Sequence, residues 1–272
     1  LIYLAVTLLV IYIVAPFLWL IIMSVSSNPD LTTKPLRWIP KTIDWSNYSN
    51  LLTMGLNTRG EAFLYGLRNS FITAFTATAV SLFVSFPAAW AFSRQKGKKE
   101  IILKIAIMMF MLPPIAYALP IYRILAGWGL LNNSFSLAIV YCTIITPFCV
   151  WLTKENMESV PYEIEEAALI DGAGLFRRWA MVLIPLMLPA IGTVALLSMI
   201  LSWDEFFYAL LYTSDKSAKT LPVVISNLAS GRQSQYGLIA AGGVLAALPP
   251  VAIGLLLQRY LIRGLTLGSV KG

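Results

Sequence analysis

Apolar residues in this chain fall in blocks of about 20. A window of about 19 residues places six blocks near 1–24, 67–93, 101–123, 134–153, 183–209 and 237–262. Each is close to the ~20 residues that cross ~30 Å of hydrocarbon. The expected fold is therefore all-α: a single integral membrane domain over 1–272, with six transmembrane helices. Ile2 to Met23 is too long for a signal-peptide core, and no small-residue cleavage site follows, so a retained first span is expected. Leu1 already lies in an apolar run, and a short tail is expected before it.

Two patterns inside the blocks refine this picture. Ala77, Ser81, Ser85, Ala89 and Ser93 recur at every fourth position of the second block, a stripe of small residues that lets another helix approach closely. Pro113, Pro114 and Pro120 interrupt the third block, Pro147 the fourth, and Pro249 with Pro250 the sixth. Helices there are expected to bend or break, which is tolerated within a membrane only where protein or a water-filled cavity satisfies the freed backbone groups.

Composition agrees with a lipid-facing surface. The hydrophobic fraction is 58% and the charged fraction 12%, against about 25% charged residues in soluble domains. The net charge of +7 sits in short clusters beside apolar blocks, without a basic face interleaved with aromatics, so membrane orientation is a better reading than nucleic acid. Arg94, Lys96, Lys98, Lys99 and Lys104 form the densest cluster. Lys154, Arg177, Arg178, Arg259, Arg263 and Lys271 add to the same side, which is expected to be cytoplasmic, with both termini there. Lys34, Arg37, Lys41 and Arg59 on the opposite side make the bias moderate. Histidine is absent, removing the commonest metal ligand and general base. Cys142 and Cys149 lie about 10 Å apart along one predicted helix, too far to pair with each other.

The most informative segment runs from Val160 to Gly174, within the loop 154–182. It reads as a short helix with its own start and stop. Pro161 suits the first helical position, Glu163 and Glu165 place negative charge at the positive end of the helix, and Gly172 takes the left-handed turn that ends it. A second turn, Leu175 to Trp179, is expected before Pro185 opens the fifth span. Ala167 and Ala168 let a partner's surface come close, and Glu166 beside them offers a charge that fixes register. The alternative is an amphipathic connector lying on the membrane surface.

Glu166-Ala167-Ala168, three residues, Gly172, nine residues and then Val182-Leu183-Ile184-Pro185 resembles the EAA loop of ABC importer permeases, with Val182 and Ile184 in place of the usual Ile and Leu. Arg68-Asn69-Ser70, Trp203-Asp204-Glu205-Phe206, Leu221-Pro222 and the tail Gly264 to Gly272 extend the resemblance over the chain. It is nearest to carbohydrate-importer permeases of the maltose G type. The resemblance implies a second homologous permease subunit, an ATP-binding ATPase dimer, an extracytoplasmic solute-binding protein and a sugar substrate, in a bacterial plasma membrane. It also implies a coupling helix, with Glu163, Glu166, Ala167, Ala168, Asp171 and Gly172, seated in a groove of the ATPase. The C-terminal tail either reaches toward that dimer or is simply solvated, and the loop from Tyr212 to Tyr236 either contacts the binding protein or is an ordinary connector.

No cofactor is expected on this chain, because the only Gly-Lys pair, Gly97-Lys98, is followed by Lys99 and lacks the phosphate-loop spacing. ATP and Mg belong to the expected partner. Asp204 and Glu205 lie near the outer end of the fifth block, where a carboxylate at mid-bilayer would cost about 2.5–3.5 kcal/mol, so they are expected to face water or a polar pathway. With Trp203 and Asn69 they are candidate pathway residues. Equally, Trp203 is an interfacial anchor with two solvated acids, and Asn69 bonds across helices. A gradient-driven secondary transporter is the rival reading, and it calls for ionisable groups deep in the spans, where almost none stand. A membrane hydrolase calls for a nucleophile with its base, which is not visible.

Overall fold

The computed structural model describes residues 1–34, 37–56, 58–94, 99–110, 112–230 and 235–267. Lys96, Lys98, the stretch 231–233 and the end of the tail from Gly268 lie outside the described residues. Among the described residues all regular structure is helical. Among the described residues, five helices are long and apolar enough to cross a membrane: Ile2–Ser24, Arg59–Arg94, Ser134–Glu158, Leu175–Trp203 and Tyr236–Gln258.

The chain divides into two compact units. One comprises residues 1–70 and 213–249, the other 71–212 and 250–272. In the first, α1 (Ile2–Ser24) is followed by the short helices α2 (Asn28–Thr32) and α3 (Ser46–Leu52), and by the first turns of α4 (Arg59–Arg94). Ser27 caps α2: its hydroxyl accepts from the Asp30 amide and donates to the Asp30 carboxylate, which also pairs with Arg37 at 2.9 Å. Asn47 on α3 donates to the carbonyls of Ser24 and Ser26 at 3.0 and 3.2 Å, satisfying the orphaned end of α1. Gly237 presses on the same place, where a Cβ would stand 2.7 Å from the Ser26 oxygen, so a side chain there would displace backbone.

The second unit is built on the rest of α4, then α5 (Lys99–Phe110), α6 (Ile115–Gly127) and α7 (Ser134–Glu158). All five small residues of the stripe on α4 are buried. α7 packs against them: Ser81 Oγ lies 3.0 Å from Thr146 Oγ1, and Thr73 donates to the Ser134 carbonyl. Cys142 and Cys149 are both free, and Cys149 Sγ lies 2.9 Å from Ser198 Oγ. Asn133 caps α7 by accepting from the amides of Phe135 and Ser136.

Several boundaries depart from the sequence pattern. The block at 101–123 is two helices of 12 and 13 residues, because Pro113 and Pro114 together remove two amide donors and clash with the preceding turn. Pro120, Pro147, Pro249 and Pro250 interrupt nothing and lie inside the continuous helices α6, α7 and α13 (Tyr236–Leu267).

Where a loop was expected to 182 and a span over 183–209, the sequence α8 (Tyr162–Ile170), α9 (Leu175–Arg178), a π-helical turn Trp179–Leu183 and α10 (Ile184–Trp203) is found, with Leu175–Trp203 a single 29-residue helix. The wide turn explains the continuity. Pro185 cannot donate to Met181 and its ring would strike that carbonyl, a conflict that looser i→i+5 bonding relieves without ending the helix. At its other end the helix stops at Trp203. Glu205 then starts α11 (Phe207–Tyr212), and α12 (Leu221–Ala229) lies in the first unit.

Candidate functional site

The connector between α7 and the 29-residue helix carries α8. Pro161 stands at its N-cap position, Glu163 and Glu165 lie in its first turn, and Gly172 beyond its end has φ +79°. The amides of Asp171, Gly172 and Ala173 close back on Ala167, Leu169 and Ala168, tying off the last carbonyls of the helix. Nothing lies within 4 Å of where a Gly172 Cβ would sit, so backbone conformation alone requires glycine there.

One residue anchors this helix. Glu165 is fully buried, while Glu163, Glu166, Ala167, Leu169, Ile170 and Asp171 are exposed and Ala168 is half-buried. Its carboxylate accepts from Arg94 Nε at 2.6 Å and from Trp90 Nε1 at 2.8 Å, both on the last turns of α4. The second arm of Arg94 donates to the Val160 carbonyl at 3.2 Å, and its guanidinium stands 5.5 Å from the Tyr162 ring centre. Trp90 and Phe86 meet Trp179 edge-on at 5.5 and 5.8 Å, and Phe176 meets the same indole at 5.8 Å. Glu163, Glu166, Ala167 and Ile170 share the opposite face at helical spacing, and they form a free surface with Ile170 86% exposed.

Sequence reading singled out Glu166 and treated Glu165 only as a charge near the helix start. A signal was present: Trp90 and Arg94 are four apart on one face at the end of a span, two donors awaiting an acceptor. Arg94 was read only as part of a basic cluster.

Trp203 is buried, its ring 4.9 Å from Phe71 in an edge arrangement. Asp204 is exposed at the end of α10. The Glu205 carboxylate accepts from the amides of Tyr208 and Ala209 at 3.0 and 3.3 Å, so it caps α11. Around it, Tyr208 stacks on Tyr212, and the Tyr212 hydroxyl donates to the Ala118 carbonyl. In the first unit Asn69 is buried and donates to the carbonyls of Ser217 and Lys219 at 2.7 and 3.0 Å. Ser70 beside it accepts from the Leu221 amide, so this pair fixes the entry to α12. Trp203, Asp204 and Glu205 thus form one corner, separate from the α8 surface by their helices, and Asn69 belongs to a different local network. Among the described residues no group of three or more His, Cys, Asp or Glu could hold a metal ion.

Comparison with known proteins adds a family. The family described as binding-protein-dependent transport system inner membrane component matches residues 81–267. Trehalose transport system permease protein SugB of Mycobacterium tuberculosis (strain CDC 1551 / Oshkosh) is 32% identical over 269 residues, covering 98% of this chain and 95% of that protein. Trehalose/maltose transport system permease protein MalG of Thermococcus litoralis is 31% identical over 260 residues, covering 94% and 91%. Among solved structures, a chain of a bacterial ABC transporter involved in the import of the acidic polysaccharide alginate aligns with a TM-score of 0.77. It covers 95% of this chain and 94% of that one at 23% identity, a likeness of fold.

Proposed function

The chain belongs to the family of binding-protein-dependent transport system inner membrane components, and on that premise we propose that it is one of two permease subunits of an ATP-driven importer for a sugar or oligosaccharide. A separate ATPase dimer supplies the energy, using ATP and Mg, and an extracytoplasmic binding protein delivers the solute. The carbohydrate class is supported by the names of the trehalose and maltose relatives. The binding protein is supported by a solved alginate transporter in complex with an alginate pentasaccharide-bound periplasmic protein, similar in fold at a TM-score of 0.64.

One observation carries the coupling role. α8 is held on its own chain by a single buried carboxylate, and it turns Glu163, Glu166, Ala167 and Ile170 outward together. A connector lying flat on lipid would bury its apolar residues and expose its charges. Here two acids and an apolar residue share one exposed face with an alanine that permits close approach, which suits a groove on a protein partner better than a bilayer surface. In this reading α8 is the coupling helix on the cytoplasmic side, and both termini are on that side. α5 and α6 together make the third of six crossings, adding up to about 37 Å at 1.5 Å per residue. ATP-driven closure of the motor dimer moves α8, and the membrane helices reorient a central cavity between the two sides.

The test is co-purification of the tagged chain from its native membrane in mild detergent, with ATPase assayed on the preparation. The expected result is a second permease and an ATPase in stoichiometric amounts. An ATPase-free homo-oligomer would overturn the proposal in favour of a gradient-driven carrier.

A further inference from the structure

We infer that Phe86, Trp90 and Arg94 form a clamp that makes α8 and the last turns of α4 move as one body, so that displacement of α8 enters the membrane through α4. This rests on the reading of α8 as the surface that meets the motor, and it names the path by which that surface acts.

The three residues recur at intervals of four, so they share one face of α4. Their contacts bracket α8 along the chain. Arg94 holds Val160 just before it, Arg94 and Trp90 together occupy both carboxylate oxygens of Glu165 within it, and Trp90 and Phe86 pack on Trp179 after it. The helix itself is fastened to α4 at Glu165, and the residues flanking it on either side, Val160 and Trp179, are fastened to the same face of α4.

The central link is stiff. The Glu165 side chain is 1% exposed and that of Arg94 11%, so water does not compete for a charge-assisted bond of 2.6 Å. By contrast, α8 joins α7 through Ser159–Pro161 and joins the next helix through 171–174, which contains Gly172 and Gly174. Turns of that kind absorb motion. The buried link to α4 thus fastens α8 tertiarily, beside its two covalent connections, and Glu165, Arg94 and Trp90 are positioning residues that act through α8.

The experiment uses the complete complex, with spin labels on cysteines replacing Phe83 on α4 and Leu169 on α8, both exposed and neither on the face turned to the partner, after replacement of Cys142 and Cys149. The 83–169 distance is measured without nucleotide and with ATP plus vanadate. In the otherwise native complex one distance is expected in both states. In Glu165→Gln the distance is expected to differ between states, while the ATPase still co-purifies and its stimulation by the binding protein falls about tenfold. Trp90→Phe, which keeps a ring against Trp179 and removes one donor, is expected to show the same change in smaller measure.

A distance that shifts with nucleotide in the native complex overturns the clamp, as does a single distance in both variants. Loss of the ATPase from Glu165→Gln also overturns it, since the network would then only shape the docking face. If the native complex itself recovers no ATPase, the importer reading fails and the clamp fails with it.

Discussion

Two glutamates stand at interruptions of the helical chain, and they are used in opposite ways. Glu205 accepts from the amides of Tyr208 and Ala209, three and four residues along its own chain, and starts the next helix. Glu165 ignores its own backbone and takes donors from Trp90 and Arg94, more than 70 residues away. The first carboxylate makes a local corner. The second fastens one element to another and thereby decides which face of α8 is free. A local cap fixes a turn, whereas a remote pair fixes the position of a surface.

That contrast can be broken by substitution. The largest effect is expected from Glu165→Ala, which leaves the Arg94 guanidinium and the Trp90 N–H without their acceptor in a buried place; about 3 kcal/mol of stability should be lost in a denaturant titration in detergent. Glu205→Ala frees two amides at the start of a six-residue helix and should cost about 1 kcal/mol in the same titration, with α8 undisturbed. Asp30 combines the two uses in one side chain and should show it through pH. The Ser27 hydroxyl first and the Arg37 guanidinium second hold its carboxyl below the usual carboxylate range. Its contribution is therefore fully present above the ordinary Asp pKa and is lost as pH falls through the lowered folded value. Asp30→Asn should flatten that part of the stability–pH curve, as followed by melting between neutral and acid pH. The smallest effect on stability is expected from Glu166→Ala, within about 0.5 kcal/mol because the side chain is exposed. Recovery of the ATPase on the same preparation should nonetheless drop, separating an exposed contact from a buried fastening.

Much of this was legible in the sequence. The hydrophobic blocks follow directly from the need to satisfy backbone groups in lipid, and the Gly172 stop from the cost of a left-handed turn for any other residue. The break at Pro113 and Pro114 was equally readable, since two adjacent missing donors exceed what a helix tolerates. Less was readable where the outcome depends on a distant neighbour. Glu163, Glu165 and Glu166 are chemically alike, and only the arrival of α4 selects the middle one for burial. Trp203 offered both an interfacial and a pathway reading, and its packing against Phe71 comes from a helix more than 130 residues earlier, which its own neighbours do not announce. The start of the long helix at Leu175 was hidden because Pro185 reads as a beginning, and a single wide turn lets the helix run through it.

That wide turn, Trp179–Leu183, also sets a phase. A π-helical turn accommodates one residue more than an α-helical one, so it advances everything beyond it by about 100° relative to an uninterrupted helix. Trp179, gripped by α4, lies at its start, and the membrane-crossing part of the helix lies beyond its end. The angular setting of the connector and that of the crossing helix are thus decoupled at this point. Deleting one residue from 180–183 would leave the helix long and apolar and yet turn the whole of α10 to a different azimuth.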